Sequence, residues 1–131
     1  MKEVYEFLNE AGTFFLATTD GNQPRVRPFG VVNICDNKLY IQTGRRKNVS
    51  KQILANPKVE ICAVKDGKWI RISGILIDDN RVEAKKSMLD VHSELRKMGY
   101  DENDENTEVL YFKDATATIS SFTEADKVIK F

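Results

Sequence analysis

Four short polar signals divide most of this chain into paired runs of strand-forming residues. Asp20-Gly21, Asp36-Asn37, Asp66-Gly67 and Lys113-Asp114 each separate stretches rich in Val, Ile, Thr and aromatic residues. Asp-Gly and similar pairs tolerate the backbone of a tight hairpin turn, while β-branched and aromatic flanks favour extended chain. The pattern predicts strands over 13–19, 25–34, 39–42, 59–64, 69–77, 108–112 and 116–122. Pro28 falls inside the second of these and predicts a bulge or an edge position, because proline cannot donate to a ladder. Strands joined by such turns are antiparallel. No strand–helix–strand alternation, internal repeat or linker is visible.

Three helical segments interrupt the hairpins. Val4, Phe7, Leu8 and Ala11 recur at helical spacing, predicting an amphipathic helix over 2–11 ended by Gly12. A short helix over 48–55 places Val49, Ile53 and Leu54 on its buried side, with Asn48 as its cap and Asn56-Pro57 as its end. Asn80-Arg81-Val82-Glu83 reads as a capping box with Asn80 in the cap position. Ala84, Met88, Val91, Leu95 and Met98 then form a stripe running to Gly99, with both methionines read as core. The acid-rich stretch 101–108 reads as a solvated loop. The expected fold is mainly β: a small antiparallel barrel with peripheral α-helices, since closure removes sheet edges. Apolar residues on both faces of a strand, such as Phe29 and Val31 with Val32 and Ile34, suggest that outer surface is also buried, as a homodimer would do.

At 131 residues the chain is expected to form one domain, 1–131, with a core that needs no staples. Lys and Arg number 20 against 20 Asp and Glu, a balance that argues against dedicated nucleic-acid binding. No apolar run reaches the roughly 18 residues of a membrane span, and the first residues lack a signal-peptide core, so a cytoplasmic protein is expected. Cys35 and Cys62 make neither a metal set nor a Cys-x-x-Cys motif and read as small packing residues. His92, the one histidine, is left without a role.

Within this neutral chain, Arg25, Arg27, Lys38, Arg45, Arg46, Lys47 and Lys51 stand against a single acid, Asp36. The window spans a strand, a Gly-containing loop and a helix start, where backbone N–H groups and the helix dipole reinforce side-chain charge. That combination reads as a phosphate site. Nucleic acid would want aromatics interleaved for stacking, and only Phe29 and Tyr40 are available.

The order Gly21-x-x-Pro24-x-x-Arg27-Pro28-Phe29, Leu39-Tyr40-Ile41-x-Thr43, a basic loop, Lys51-Gln52-Ile53-x-x-Asn56-Pro57 and Trp69-Ile70-Arg71-Ile72-x-Gly74 resembles the pyridoxamine 5'-phosphate oxidase-like family of FMN-binding split barrels. The resemblance covers about residues 3–122. It implies a six-stranded antiparallel split β-barrel, homodimeric, with FMN in clefts at the subunit interface. It further implies Arg27 near the phosphate and Pro28, Phe29 and Gly30 alongside the flavin. Gln42 and Thr43 would hydrogen-bond the cofactor, and Lys47, Asn48 and Lys51 would complete the phosphate and ribityl site. Trp69 falls where the family often places a polar residue from the other subunit beside the flavin; it would stack on the ring or cap the pocket there, or else serve only as a core or dimer-interface aromatic. The basic pair that commonly opens the short helix aligns with Asn48-Val49, so Arg45, Arg46 or Lys47 is left to supply that charge. The vitamin B6 oxidases carry a C-terminal Trp, Arg and His extension that this sequence lacks, so pyridoxamine phosphate oxidation is not expected. The implied activity is an FMN-dependent oxidoreductase of a small molecule, with NAD(P)H as a candidate donor. The alternatives are a flavin carrier without turnover, or a barrel that binds haem or another ligand.

Overall fold

A computed structural model describes all residues, 1–131. Helix α1 (Lys2–Ala11) buries Val4 and Leu8 and ends at Gly12, whose φ of 80° lets its N–H return to the Leu8 carbonyl. Strands β1 (Phe14–Asp20) and β2 (Gln23–Phe29) form the first hairpin. Strands β3 (Val32–Cys35) and β4 (Lys38–Gly44) form the second, across Asp36 and Asn37, both at positive φ. Helix α2 (Asn48–Ala55) leads to the hairpin of β5 (Lys58–Lys65) and β6 (Lys68–Asp78), turned by Asp66 and Gly67 at positive φ. Helices α3 (Val82–Val91) and α4 (Glu94–Lys97) precede β7 (Thr107–Ser121) and β8 (Lys127–Lys130).

All strand pairs are antiparallel, in the order β2-β1-β5-β6-β7-β4-β3, with β8 added against β7. The six strands expected are therefore eight, and the hydrogen-bonded path is open, with β2 and β3 as its ends. Strand β7 explains the shape. One of its edges pairs with β6, while the other is shared between β4 at residues 107–111 and β8 at 116–119. A register shift between Ser73 and Ile75, and Asp114 at φ 52°, bend the two long strands where that handover occurs. This layout is consistent with a split barrel.

Burial alternates along β5, where Val59, Ile61 and Ala63 point inward, and β1 and β6 follow the same period, while β4 is buried on both faces. Helix α1 packs Val4 and Leu8 onto this core. A second cluster of Ala84, Met88 and Leu89 from α3, with Leu95, covers Tyr40 and Val109.

Several local readings need correction. The strand expected over 25–34 breaks at Gly30-Val31, leaving backbone beside a cavity unpaired. Lys113-Asp114 is a bulge within β7, not a hairpin turn. Neither Asn48 nor Asn80 caps a helix: the cap positions are Lys47 and Arg81. Helix α3 has no side-chain cap, and Asp79 instead accepts from the Arg81 backbone N–H in a turn that leads the chain into the helix. The helix expected to run to Met98 stops at His92, so Met88 is buried while Met98 is 68% exposed. No helix is long and apolar enough to cross a membrane.

Candidate functional site

The basic residues of the 25–51 window are not equivalent once folded. Arg25 lies 3.4 Å from Asp20. Arg45 is consumed by acids, with Nη1 2.6 Å from Asp78 and 2.8 Å from Glu108. Lys38 sits over the Tyr111 ring. The backbone N–H of Arg46 donates to Asn106 Oδ1, which fixes the loop and leaves the side chain exposed. Arg27, Lys47 and Lys51, like Arg46 and Lys38, have no carboxylate within ion-pair reach, and these three are the ones that border a cavity.

Arg27 is held firmly nonetheless. Its Nη1 donates to the Leu16 carbonyl and to Thr18 Oγ1, and its Nη2 donates to Gln52 Oε1. Thr18 Oγ1 also donates to Gln52 Oε1, tying β1 to α2 around the guanidinium. Every one of these acceptors is neutral. Partial burial, and then the nearby Arg25, lower the Arg27 pKa, so this is a fixed positive charge short of a counter-charge. Nearby, α2 begins at Asn48 with no side-chain cap. The first N–H groups of a helix have no partner within it, and they carry the positive end of its dipole.

Two adjoining cavities meet at Arg27. One, of about 650 Å³, is polar and is bordered by Thr19, Asp20 and Arg25 on the β1–β2 hairpin and by Asn48, Lys51 and Gln52 on α2. The other, of about 440 Å³, is more apolar. On one side it has Pro28, Phe29, Gly30 and Val31, with Gln42 and Thr43 from β4 and Lys47 and Val49 at the start of α2. Its far wall is Glu94, Leu95, Met98 and Tyr100. The structure thus gathers Arg27, Pro28, Phe29, Gly30, Gln42, Thr43 and Lys47 around one cavity, and Arg27, Asn48 and Lys51 around its neighbour.

Trp69 borders neither cavity of its own chain. It packs on Phe122, with ring centroids 5.0 Å apart. The far wall was not legible in the sequence, because Leu95 and Met98 continue the α3 stripe on paper. Only the break at His92 turns that segment across the cleft. Gln52, which fixes Arg27, had no motif beyond its place in the Lys51-Gln52-Ile53 run.

The pyridoxamine 5'-phosphate oxidase family profile matches residues 1–117. The chain belongs to that family. A NimC/NimA family protein from Clostridium acetobutylicum is 42% identical in a solved structure with TM-score 0.96, covering 100% of this chain and 92% of that one. General stress protein 26 from Bacillus anthracis shares the fold at TM-score 0.77 and 18% identity, covering 99% and 98% of the two chains. HutZ, the haem storage protein of Vibrio cholerae, shares it at TM-score 0.66 and 16% identity, over 86% and 87%. No curated protein sequence matches the chain.

Proposed function

We propose that this family member binds FMN in the joined cavities and acts as an oxidoreductase on a small molecule. The observation that carries the reading is the charge left over after folding. Arg27, Lys47 and Lys51 lack acidic partners and converge on an uncapped helix start beside a cavity lined by Phe29 and Val49. A phosphate suits the first part and a flat ring system the second. Arg27, Lys47, Asn48 and Lys51 would hold the phosphate. Pro28, Phe29 and Gly30 would offer backbone to the ring, with Gln42 and Thr43 beside it. Bound flavin would supply hydride or electron transfer, and the chain's part is to bind and orient it. The substrate would be small, with NADH or NADPH as the donor to be tested. A haem reading is less well supported: the single histidine, His92, spends its Nε2 on the Val32 carbonyl at 2.7 Å.

The working unit we propose is a homodimer with its sites at the interface. Its support is a continuous outer row across the sheet, Pro28, Phe15, Cys62, Arg71, Thr118 and Val128, each paired with the next. Phe15 in this row is 47% exposed and Phe122, just past the end of β7, is 95% exposed, apolar surface that a second chain would cover. Trp69, on the same side as Phe122, would then reach the flavin of the partner.

The test is direct. The purified protein should carry or take up FMN, seen in its visible spectrum. Anaerobic mixing with NADH or NADPH should bleach the flavin, and a nitroaromatic or quinone acceptor should restore its colour. Protein that stays colourless after incubation with FMN would overturn the reading. Flavin that binds but is reduced by neither donor and passes no electrons to either acceptor would leave a carrier in place of an enzyme.

A further inference from the structure

The far wall of the 440 Å³ cavity has a chemistry of its own. Glu94 is the one acid among the residues that line it, beside Leu95, Met98 and the Tyr100 ring. No cation stands on that side. Arg96, next along α4, is turned away and held by Glu102 and Asp90. Glu94 is 62% exposed, and its near neighbour is His92, with Nδ1 3.5 Å from its carboxylate. The Val32 carbonyl can only accept, so His92 Nε2 donates to it and Nδ1 is the ring nitrogen that faces Glu94. No lysine or arginine lies within ion-pair reach of the Glu94 carboxylate, whose one basic neighbour is the imidazole of His92. Across the cavity, Arg27 and Lys47 are the groups that a flavin phosphate would neutralise.

We infer that Glu94, Leu95, Met98 and Tyr100 form the substrate-selecting wall of this cleft, favouring neutral or cationic aromatic molecules over carboxylated or phosphorylated ones. This deepens the flavin reading and rests on it for the identity of the cleft as a reaction site. The apolar contacts come from Leu95 and Met98, whose polarizable sulfur suits an aromatic ring. The discrimination comes from Glu94, which attracts a cationic substituent and repels an anionic one. For a partly exposed charge each effect is modest, and the two together amount to about a fivefold preference.

Three matched probes test it: 4-nitrobenzylammonium, 4-nitrobenzyl alcohol and 4-nitrobenzoate. They are titrated into ¹⁵N-labelled wild-type protein and Glu94→Gln, each with and without added FMN. Amide shifts report where each probe lies, and their titration gives its affinity. The expected result is that probes shift the Leu95 and Tyr100 amides. The ratio of ammonium to carboxylate affinity should fall about fivefold in Glu94→Gln in both flavin states. An unchanged ratio, or binding that leaves the α4 amides unmoved, overturns the inference. FMN uptake is read separately in the same samples. Failure there refutes the flavin reading, while the change in the probe ratio still decides whether Glu94 selects charge.

Discussion

Asp79 ties the floor of the cleft to its far wall, and replacing it should loosen both. Its carboxylate accepts from the Tyr40 hydroxyl at 2.6 Å and from Arg81 through Nε, Nη2 and the backbone N–H. Tyr40 lies on β4, the strand that carries Gln42 and Thr43, and Arg81 opens α3, which leads to α4. Asp79 is only 8% exposed, and these donors, Arg81 first, hold its pKa at about 2 against a usual 3.8. That difference corresponds to about 2 kcal/mol of stability at neutral pH. Arg81 is about half exposed, so solvent screening brings the expected cost of Asp79→Asn to about 1 to 2 kcal/mol. The sign follows from the depressed pKa. The contribution is present above the unfolded-state value and is lost as pH falls toward the folded one, about half of it gone by about pH 3. Urea unfolding of wild type and Asp79→Asn at pH 7 and at successively lower pH measures this. The gap between the two proteins should narrow on acidification. A gap that is absent at pH 7, or that stays constant down to about pH 3, would refute the reasoning.

Glu108 should show the opposite trend. It is 4% exposed, accepts from Ser50 Oγ and pairs with Arg45, yet burial raises its pKa overall. The folded state therefore holds its proton more tightly than the unfolded chain, and Glu108→Gln should gain stability relative to wild type as pH rises through the carboxylate range. Gly74→Ala should cost about 1 to 3 kcal/mol by chemical denaturation, because an added Cβ would lie 3.1 Å from Ala115 Cβ and 3.2 Å from Phe112 Cδ1 at the bend of β6. On the dimer proposal, wild type should sediment as a dimer and Phe15→Glu as a monomer, with flavin uptake falling in parallel. A flavin-loaded wild-type monomer would contradict the shared-interface proposal.

What the sequence revealed depended on how local its cause was. The turns at Asp36-Asn37 and Asp66-Gly67 are legible because the backbone they need is set by the turn residues themselves. The same logic misread Lys113-Asp114. There β6 pairs on both sides of the irregularity, and the partner strand decides that the chain continues through a bulge. Asn80 carried cap chemistry in sequence, but α3 starts after Arg81 with no side-chain cap, and its entry is set by Asp79, which Tyr40 holds from a distant strand. The basic window was visible as charge, and folding did the sorting. Asp78 and Glu108, remote in sequence, withdraw Arg45, while Gln52 and Thr18 hold Arg27 in place without neutralising it. The wall of Glu94 and Tyr100 was hidden because a break at His92 cannot be told from a continuing helical stripe by periodicity alone.

The central claim is that Arg27 and Lys51 are charges waiting for a phosphate, and comparing FMN with riboflavin isolates that one group. Affinities for both ligands in wild type, Arg27→Ala and Lys51→Ala give the answer by fluorescence quenching. Each substitution removes a charge-assisted contact, so FMN should weaken by about 10- to 100-fold while riboflavin changes by no more than about threefold. Equal losses for the two flavins would place the phosphate elsewhere and contradict the account.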